Sequence, residues 1–202
     1  MKLYYSIGAC SMSPHIVLHE AGLPFEAVLA STKTHQLADG TDYYTINPKG
    51  SVPLLELDNG ERLSEGPAIV QYIADLVPAK NLAPAAGTMA RYRLQEWLNY
   101  ITSELHKGFS PLFNPATPAD YKPLASARLI NRLTIVDKAL ADKPFLMGEH
   151  FTVADAYLFT VAGWSKFVNL DISALTNLTA YLGRIAARPA VQEAMKAEGL
   201  LK

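Results

Sequence analysis

The stretch Tyr5-Ser6-Ile7-Gly8-Ala9-Cys10-Ser11-Met12-Ser13-Pro14 decides the fold, because a strand ends in it and a helix begins in it. Residues 2–6 read as a short strand, and the apolar run 16–18, flanked by Pro14 and Gly22, reads as a helix of about two to three turns. Residues 25–29 alternate and are partly β-branched or aromatic, which predicts a second strand, and the polar stretch 35–42 comes after it. Residues 53–57 form a third predicted strand, Asp58-Asn59-Gly60-Glu61 a hairpin turn, and 62–64 the returning strand. A helix over 67–76 closes the pattern, with Pro67 at its start and Ile69, Ile73 and Leu76 at helical spacing. The order is βαβ, a polar link, then ββα.

Beyond it the pattern changes. Residues 77–87 hold two prolines and a glycine without periodicity, as a linker does, so the expected division is 1–77, a linker at 78–87 and a second domain at 88–202. Residues 89–107, 123–140, 153–167 and 175–187 space their apolar side chains by three and four, which predicts an all-α second domain. Phe151-Thr152-Val153-Ala154-Asp155 places an acid three residues after Thr, a variant of the capping box, and marks a helix start.

Half of the 202 residues are apolar, enough to bury a core, and the formal net charge of -1 gives no broad attraction for nucleic acid or anionic membrane. The expected partner is a small molecule or a protein. No secretory signal opens the sequence and no apolar run is long enough to span a bilayer, so the cytoplasm is the expected location.

The lone cysteine has no second thiol in the chain to pair with, so its address carries its meaning. At a strand-to-helix junction, helix-start N–H groups and the macrodipole favour a thiolate, which makes Cys10 a candidate nucleophile; an inert buried Cys is the plain alternative. Cys10-Ser11-Met12-Ser13 is a C-x-x-S motif, so a disulfide at Cys10 needs its second thiol from a small molecule. Glutathione is the natural one.

Val52-Pro53 sits where thioredoxin-like folds carry a cis-proline, which leaves the backbone of Val52 facing a thiol ligand; an ordinary strand-entry proline is the alternative. Glu65 and Gly66 begin a helix, where an α-amino acid group finds a carboxylate for its ammonium and backbone N–H groups for its carboxylate. Glu65 as a simple complement to the helix dipole stands beside that reading. Asn99, Ser103 and His106, at i, i+4 and i+7, share a polar helical face, a candidate cleft wall or a plain solvent face, with His106 a candidate proton handler. The remaining histidines lack metal-ligand spacing, and no metal is expected.

As an ordered set, Tyr5, Gly8-Ala9-Cys10-Ser11, Asn47-Pro48-Lys49-Gly50-Ser51-Val52-Pro53, Ser64-Glu65-Gly66-Pro67-Ala68-Ile69, Glu104-Leu105-His106-Lys107-Gly108 and the Phe151–Tyr157 box resemble bacterial beta-class glutathione S-transferases nearly end to end. The resemblance implies an N-terminal thioredoxin-like domain, a C-terminal helical bundle, and a homodimer. It implies conjugation of glutathione, as co-substrate and with no further cofactor, to a small electrophile.

Carried over by position, Cys10 would contact or bond the glutathione sulfur and Val52, before Pro53, would pair with its cysteinyl backbone. Glu65 and Gly66 would hold the γ-glutamyl end. Asn99, Ser103, Glu104 and His106 would line the cleft, with Asn99, Ser103 or Glu104 as the group reaching the partner subunit's ligand. Two positions depart from the pattern. His35 stands where the class often has a Lys for the glycyl carboxylate, with Lys33 nearby, and Gly66 stands where other branches have Ser. Tyr5, Ser11 and Ser13 compete with Cys10 as the group that activates the thiol. Thiol–disulfide exchange or reductive dehalogenation through Cys10, and a non-catalytic adaptor on the same scaffold, are the other readings.

Overall fold

The computed structural model describes residues 1–201, which divide into two compact units: Met1–Ala83 together with the chain from Ala187 onward, and Pro84–Ala186.

The first unit is built on a four-stranded sheet in the order β2-β1-β3-β4, with β1 Lys2–Tyr5, β2 Glu26–Leu29, β3 Leu54–Glu56 and β4 Arg62–Ser64. β1 and β2 run parallel, with Leu3 opposite Ala27, because helix α1 (Met12–Ala21) crosses between them. β3 pairs antiparallel with β1, Leu55 opposite Leu3, and β4 returns antiparallel to β3. The Asp58–Glu61 turn closes that hairpin, with Gly60 at φ 85°, a conformation that favours glycine. Helix α2 (Gly66–Leu76) buries Ile69, Val70, Ile73 and Ala74. Leu76, expected on that apolar stripe, is 46% exposed because it lies in the last turn. This is the expected βαβ-ββα order.

The chain from Ala187 departs from the expected division. Helix α8 (Pro189–Ala197), which lies beyond the last helix that the periodicity predicts, buries Val191 and Ala194 and packs on α1, where Arg188 clamps Glu20 through two hydrogen bonds of 2.6 and 3.0 Å. Burying a side chain such as Val191 contributes about 1.5–3 kcal/mol, which holds this C-terminal segment to the sheet-bearing unit.

The second unit is all-α: α3 Met89–Tyr100, α4 Lys107–Phe113, α5 Tyr121–Ala139, α6 Val153–Gly163 and α7 Thr176–Ala186. A single π-helical turn, Ile101–His106, joins α3 to α4, with the Lys107 N–H reaching back five residues to the Thr102 carbonyl. The core holds Leu94, Leu98, Ile101, Leu105, Leu133 and Leu158. At the start of α6 the Thr152–Asp155 box forms as expected: the Asp155 carboxylate accepts from the Thr152 N–H at 2.8 Å and the Thr152 hydroxyl at 3.0 Å, from Leu146 N–H at 2.8 Å and from the Tyr181 hydroxyl at 3.0 Å. Asp155 is fully buried, and that burial outweighs the four donors and raises its pKa. Among the described residues no helix is long and apolar enough to cross a membrane.

Candidate active site

β1 ends at Tyr5, and the loop that carries Cys10 is folded by its own hydroxyl. Ser11 Oγ accepts the Ser6 N–H at 3.1 Å and donates to the Ser6 carbonyl at 3.2 Å. Gly8 turns at φ 68°, and its N–H donates across 2.9 Å to the buried carboxylate of Glu198, beyond α8. The other oxygen of Glu198 meets His15 Nδ1 of α1 at 2.9 Å. The loop is therefore held from inside by Ser11 and from beneath by Glu198.

Cys10 sits half-buried just before the first turn of α1, and its thiol donates to the Val52 carbonyl at 3.2 Å. The N–H groups of Met12 and Ser13 bond the carbonyls of Ala9 and Cys10, so the two donors of the first helical turn are already engaged. The Val52–Pro53 peptide is cis, as the sequence order suggested. Val52 belongs to an apolar cluster with Tyr4, Ala30, Tyr43 and Leu54 that backs this part of the sheet.

Glu65 caps α2 in an uncommon conformation for a residue with a side chain, φ 71° and ψ 110°. Its carbonyl accepts from both Ala68 and Ile69 N–H, and Pro67 has no N–H, which leaves the Gly66 N–H as the candidate donor to an anion. Its exposed carboxylate bonds Lys49 Nζ at 2.7 Å, and the same ammonium bonds Ser64 Oγ at 3.0 Å. Sequence reasoning gave Lys49 no role. A cation placed between Ser64 and Glu65 shows that this helix start accepts an ammonium.

His35 lies in the left-handed region at φ 54°, its ring 4.6 Å from that of Tyr44 and its Nδ1 3.1 Å from the Gly50 carbonyl. A carbonyl only accepts, so Nδ1 carries the hydrogen there. Gly50 is also left-handed, at φ 63°, and a Cβ on it would run into the Tyr44 ring. Lys33 is exposed.

The hydroxyls divide differently from expectation. Ser11 is fully buried and engaged by Ser6, which gives it a structural task in the loop. Tyr4 and Tyr5 leave β1 on opposite faces; Tyr4 joins the Val52 cluster, whereas the Tyr5 ring lies 5.4 Å from that of His15, and burial followed by the Glu198 charge raises its hydroxyl pKa. Ser13 is buried, and its Oγ has no hydrogen-bond partner among the described residues.

In the second unit the structure separates the polar trio. A π-helical turn adds a residue to the winding, which rotates the residues after it by about 100°. Asn99 and Ser103 are exposed and joined by a Ser103 hydroxyl to Asn99 carbonyl bond of 3.0 Å. Glu104 pairs with Arg132 of α5 at 2.7 Å. His106 turns instead toward α6, its Nδ1 2.8 Å from the Tyr157 hydroxyl and its ring 4.8 Å from Trp164. Among the aromatic side chains of this unit, Phe109 and Trp164 are core, while Phe113 and Phe167 are 46% and 56% exposed.

Residues 8–76 match the glutathione S-transferase N-terminal domain family and residues 100–189 the glutathione S-transferase C-terminal domain family. The chain is 49% identical over 200 residues to glutathione S-transferase GstA of Escherichia coli O157:H7, covering 99% of this chain and 100% of that one. Among solved structures, BphK, a bacterial glutathione S-transferase in a ternary complex, is 56% identical with a TM-score of 0.97, covering 99% of this chain and 100% of that chain. A beta-class glutathione S-transferase of Sphingomonas chungbukensis is 50% identical with a TM-score of 0.96, with full coverage of both chains at 100%.

Proposed function

The chain belongs to the glutathione S-transferase family, and on that premise we propose that the Cys10 loop, Val52 and the start of α2 hold glutathione, with His106 carried over from the family pattern as a catalytic residue. The enzyme is a glutathione transferase. The observation that carries the proposed site is the Val52 carbonyl, 3.2 Å from Cys10 Sγ and directly before cis Pro53. A peptide ligand pairing with that backbone brings its own cysteinyl sulfur beside Cys10.

The γ-glutamyl ammonium then competes with Lys49 for the Glu65 carboxylate, and the α-carboxylate takes the Gly66 N–H. His35 or Lys33 receives the glycyl carboxylate. For His35 this requires the imidazolium, because its neutral ring already donates from Nδ1 to Gly50 and has only a lone pair left at Nε2. Phe113 and Phe167 offer an apolar surface to a small electrophile. In conjugation the glutathione sulfur forms a bond to the electrophilic carbon as the leaving group departs or a strained ring opens.

The dimer is proposed as a twofold homodimer, the commonest closed arrangement. Exposed Asn99 and Ser103 are the residues proposed to reach the partner subunit's ligand, and Glu104 joins them only by giving up Arg132. A cytoplasmic location fits a reaction that draws on a reduced thiol pool.

Thermal denaturation with glutathione tests the proposed site. A ligand selective for the native state at about 100-fold above its Kd stabilises by roughly 2.7 kcal/mol, a rise of about 5–10 °C for a chain of this size. No shift at millimolar glutathione contradicts the site.

A further inference from the structure

We propose that Lys49 is a built-in occupant of the ammonium site at Glu65: a tethered cation that a ligand's α-ammonium displaces on binding, and that thereby sets how tightly glutathione is held. This rests on the reading of Glu65 as the group that receives the γ-glutamyl ammonium, and it adds a residue of the first unit that works against that contact.

The fold aims Lys49 at this place. Its backbone belongs to the 47–51 loop, which is closed on itself: the Gly50 N–H donates to the Asn47 carbonyl at 2.8 Å, the Lys49 N–H to Asn47 Oδ1 at 3.2 Å, and Asn47 Nδ2 to the Ser51 carbonyl at 2.7 Å. β4 holds the loop from one side. Arg62 and Ser64 stand two apart in that strand and so leave it on the same face. Arg62 donates to the Ile46 carbonyl at 2.8 Å, and Ser64 Oγ accepts from Lys49 Nζ at 3.0 Å. Glu65 comes next, its backbone fixed by the Ala68 and Ile69 N–H groups on its carbonyl, both at 3.0 Å, and its Oε1 takes the same ammonium at 2.7 Å.

The occupant and the expected ligand carry the same chemical group. A primary alkylammonium lies between a carboxylate oxygen and a hydroxyl, as the α-ammonium of a glutamyl residue would. Two such cations on one carboxylate oxygen and one hydroxyl repel each other at contact distance, so one leaves when the other enters. A tethered group meets its partner at an effective concentration on the order of millimolar, which a free ligand has to match. Lys49 and Glu65 are 55% and 69% exposed, so their pair is weak enough to yield.

Affinity and selectivity both follow from this. Removing the internal cation should strengthen the binding of a ligand that brings its own ammonium by roughly two- to fivefold, the span of an exposed ion pair. A ligand without the ammonium leaves Lys49 in place and gains nothing from its removal. Lys49 therefore narrows the preference of the site for a free α-amino group. It acts through Glu65 and touches no reacting atom.

Two measurements on the full-length protein test it, both with S-methylglutathione, whose blocked sulfur cannot react. By calorimetry, Lys49→Met should lower the Kd of S-methylglutathione roughly two- to fivefold and leave that of its des-amino counterpart, S-methylated glutaryl-cysteinylglycine, no lower than in the wild type. A general loss of positive charge would instead weaken both anionic ligands. In the wild type, acylation of Lys49 by an amine reagent, mapped by mass spectrometry, should speed up when S-methylglutathione is bound, because the released ammonium no longer lies against Ser64 and Glu65. A Kd for S-methylglutathione that is unchanged or higher in Lys49→Met, a des-amino ligand that gains as much, or Lys49 acylation that the ligand does not raise overturns the proposal. Glu65→Gln separates that failure from failure of the site: where it weakens S-methylglutathione, the Glu65 contact stands and only the role of Lys49 falls. A Glu65→Gln variant with an unchanged Kd overturns the reading of Glu65, and the proposal with it.

Discussion

The thiol of Cys10 donates to the carbonyl oxygen of Val52 across 3.2 Å, a bond that a thiol makes and a thiolate cannot. The helix-start donors expected to stabilise an anion at Cys10 are, for Met12 and Ser13, turned to the carbonyls of Ala9 and Cys10. In this state the Cys10 sulfur is held as a donor to the acceptor that a ligand's cysteinyl N–H would take. A ligand N–H that takes the same lone pair of the Val52 carbonyl displaces the Cys10 thiol from it.

Glu65 carries the next expectation. Its carboxylate already accepts an ammonium from Lys49 at 2.7 Å, so a ligand ammonium finds a prepared partner there. Glu65→Gln keeps the size of the side chain and removes the charge. A hydrogen bond to a charged group is worth about 1.5–3 kcal/mol, so the KM for glutathione should rise roughly 10–100-fold in steady-state kinetics. Because the carboxylate is exposed, the melting temperature without ligand should stay close to that of the wild type.

Asp155 is a stability residue. Asp155→Ala leaves the N–H groups of Leu146 and Thr152 without their acceptor, and the hydroxyl of buried Tyr181 keeps only the backbone carbonyl of residue 155, at 3.2 Å. Orphaned buried donors cost about 1–3 kcal/mol each, and partial relaxation leaves a net loss of roughly 3 kcal/mol. Thermal denaturation should show a fall of about 6–12 °C.

His19 sets part of the acid response. Burial first, and the neighbouring His15 second, hold its pKa below the ordinary histidine value, with Glu193 opposing. The unfolded chain takes up this proton at about pH 6.5 while the native chain does not, so the contribution is intact above that pH and is lost as pH falls below it. His19→Gln should flatten the decline in melting temperature between about pH 6.5 and 5. An unchanged slope would place the acid sensitivity elsewhere.

How far the sequence discloses this molecule depends on the distance over which each contact acts. β1, α1, the Asp58–Glu61 turn and the Thr152–Asp155 box are written in neighbouring residues, and they stand where periodicity and turn chemistry placed them. Glu198 under Gly8 and against His15 joins positions 190 and 183 residues apart, which no spacing rule reaches. Helix α8 does carry local signals, Pro189 as a helix start with Val191 and Ala194 three apart, but they are few over so short a segment. The trio Asn99, Ser103 and His106 misleads because regular helical spacing takes no account of a π turn, and nothing local in Ile101–His106 announces one. Tyr157 stands inside a recognisable motif, but its hydroxyl reaches His106 only where α6 meets the π turn.

The central claim, that the sulfur of glutathione meets Cys10 beside Val52, is tested most directly by mass spectrometry after treatment with oxidised glutathione. The Cys10 thiolate attacks the disulfide, the sulfur–sulfur bond of oxidised glutathione breaks, one reduced glutathione leaves, and the other half stays on Cys10. The account predicts a gain of a single glutathione per chain, mapped to Cys10, reversed by a reducing agent and abolished in Cys10→Ala. A chain that remains unmodified, with Cys10 alkylating no faster than an ordinary thiol, contradicts it and makes Cys10 a packing residue.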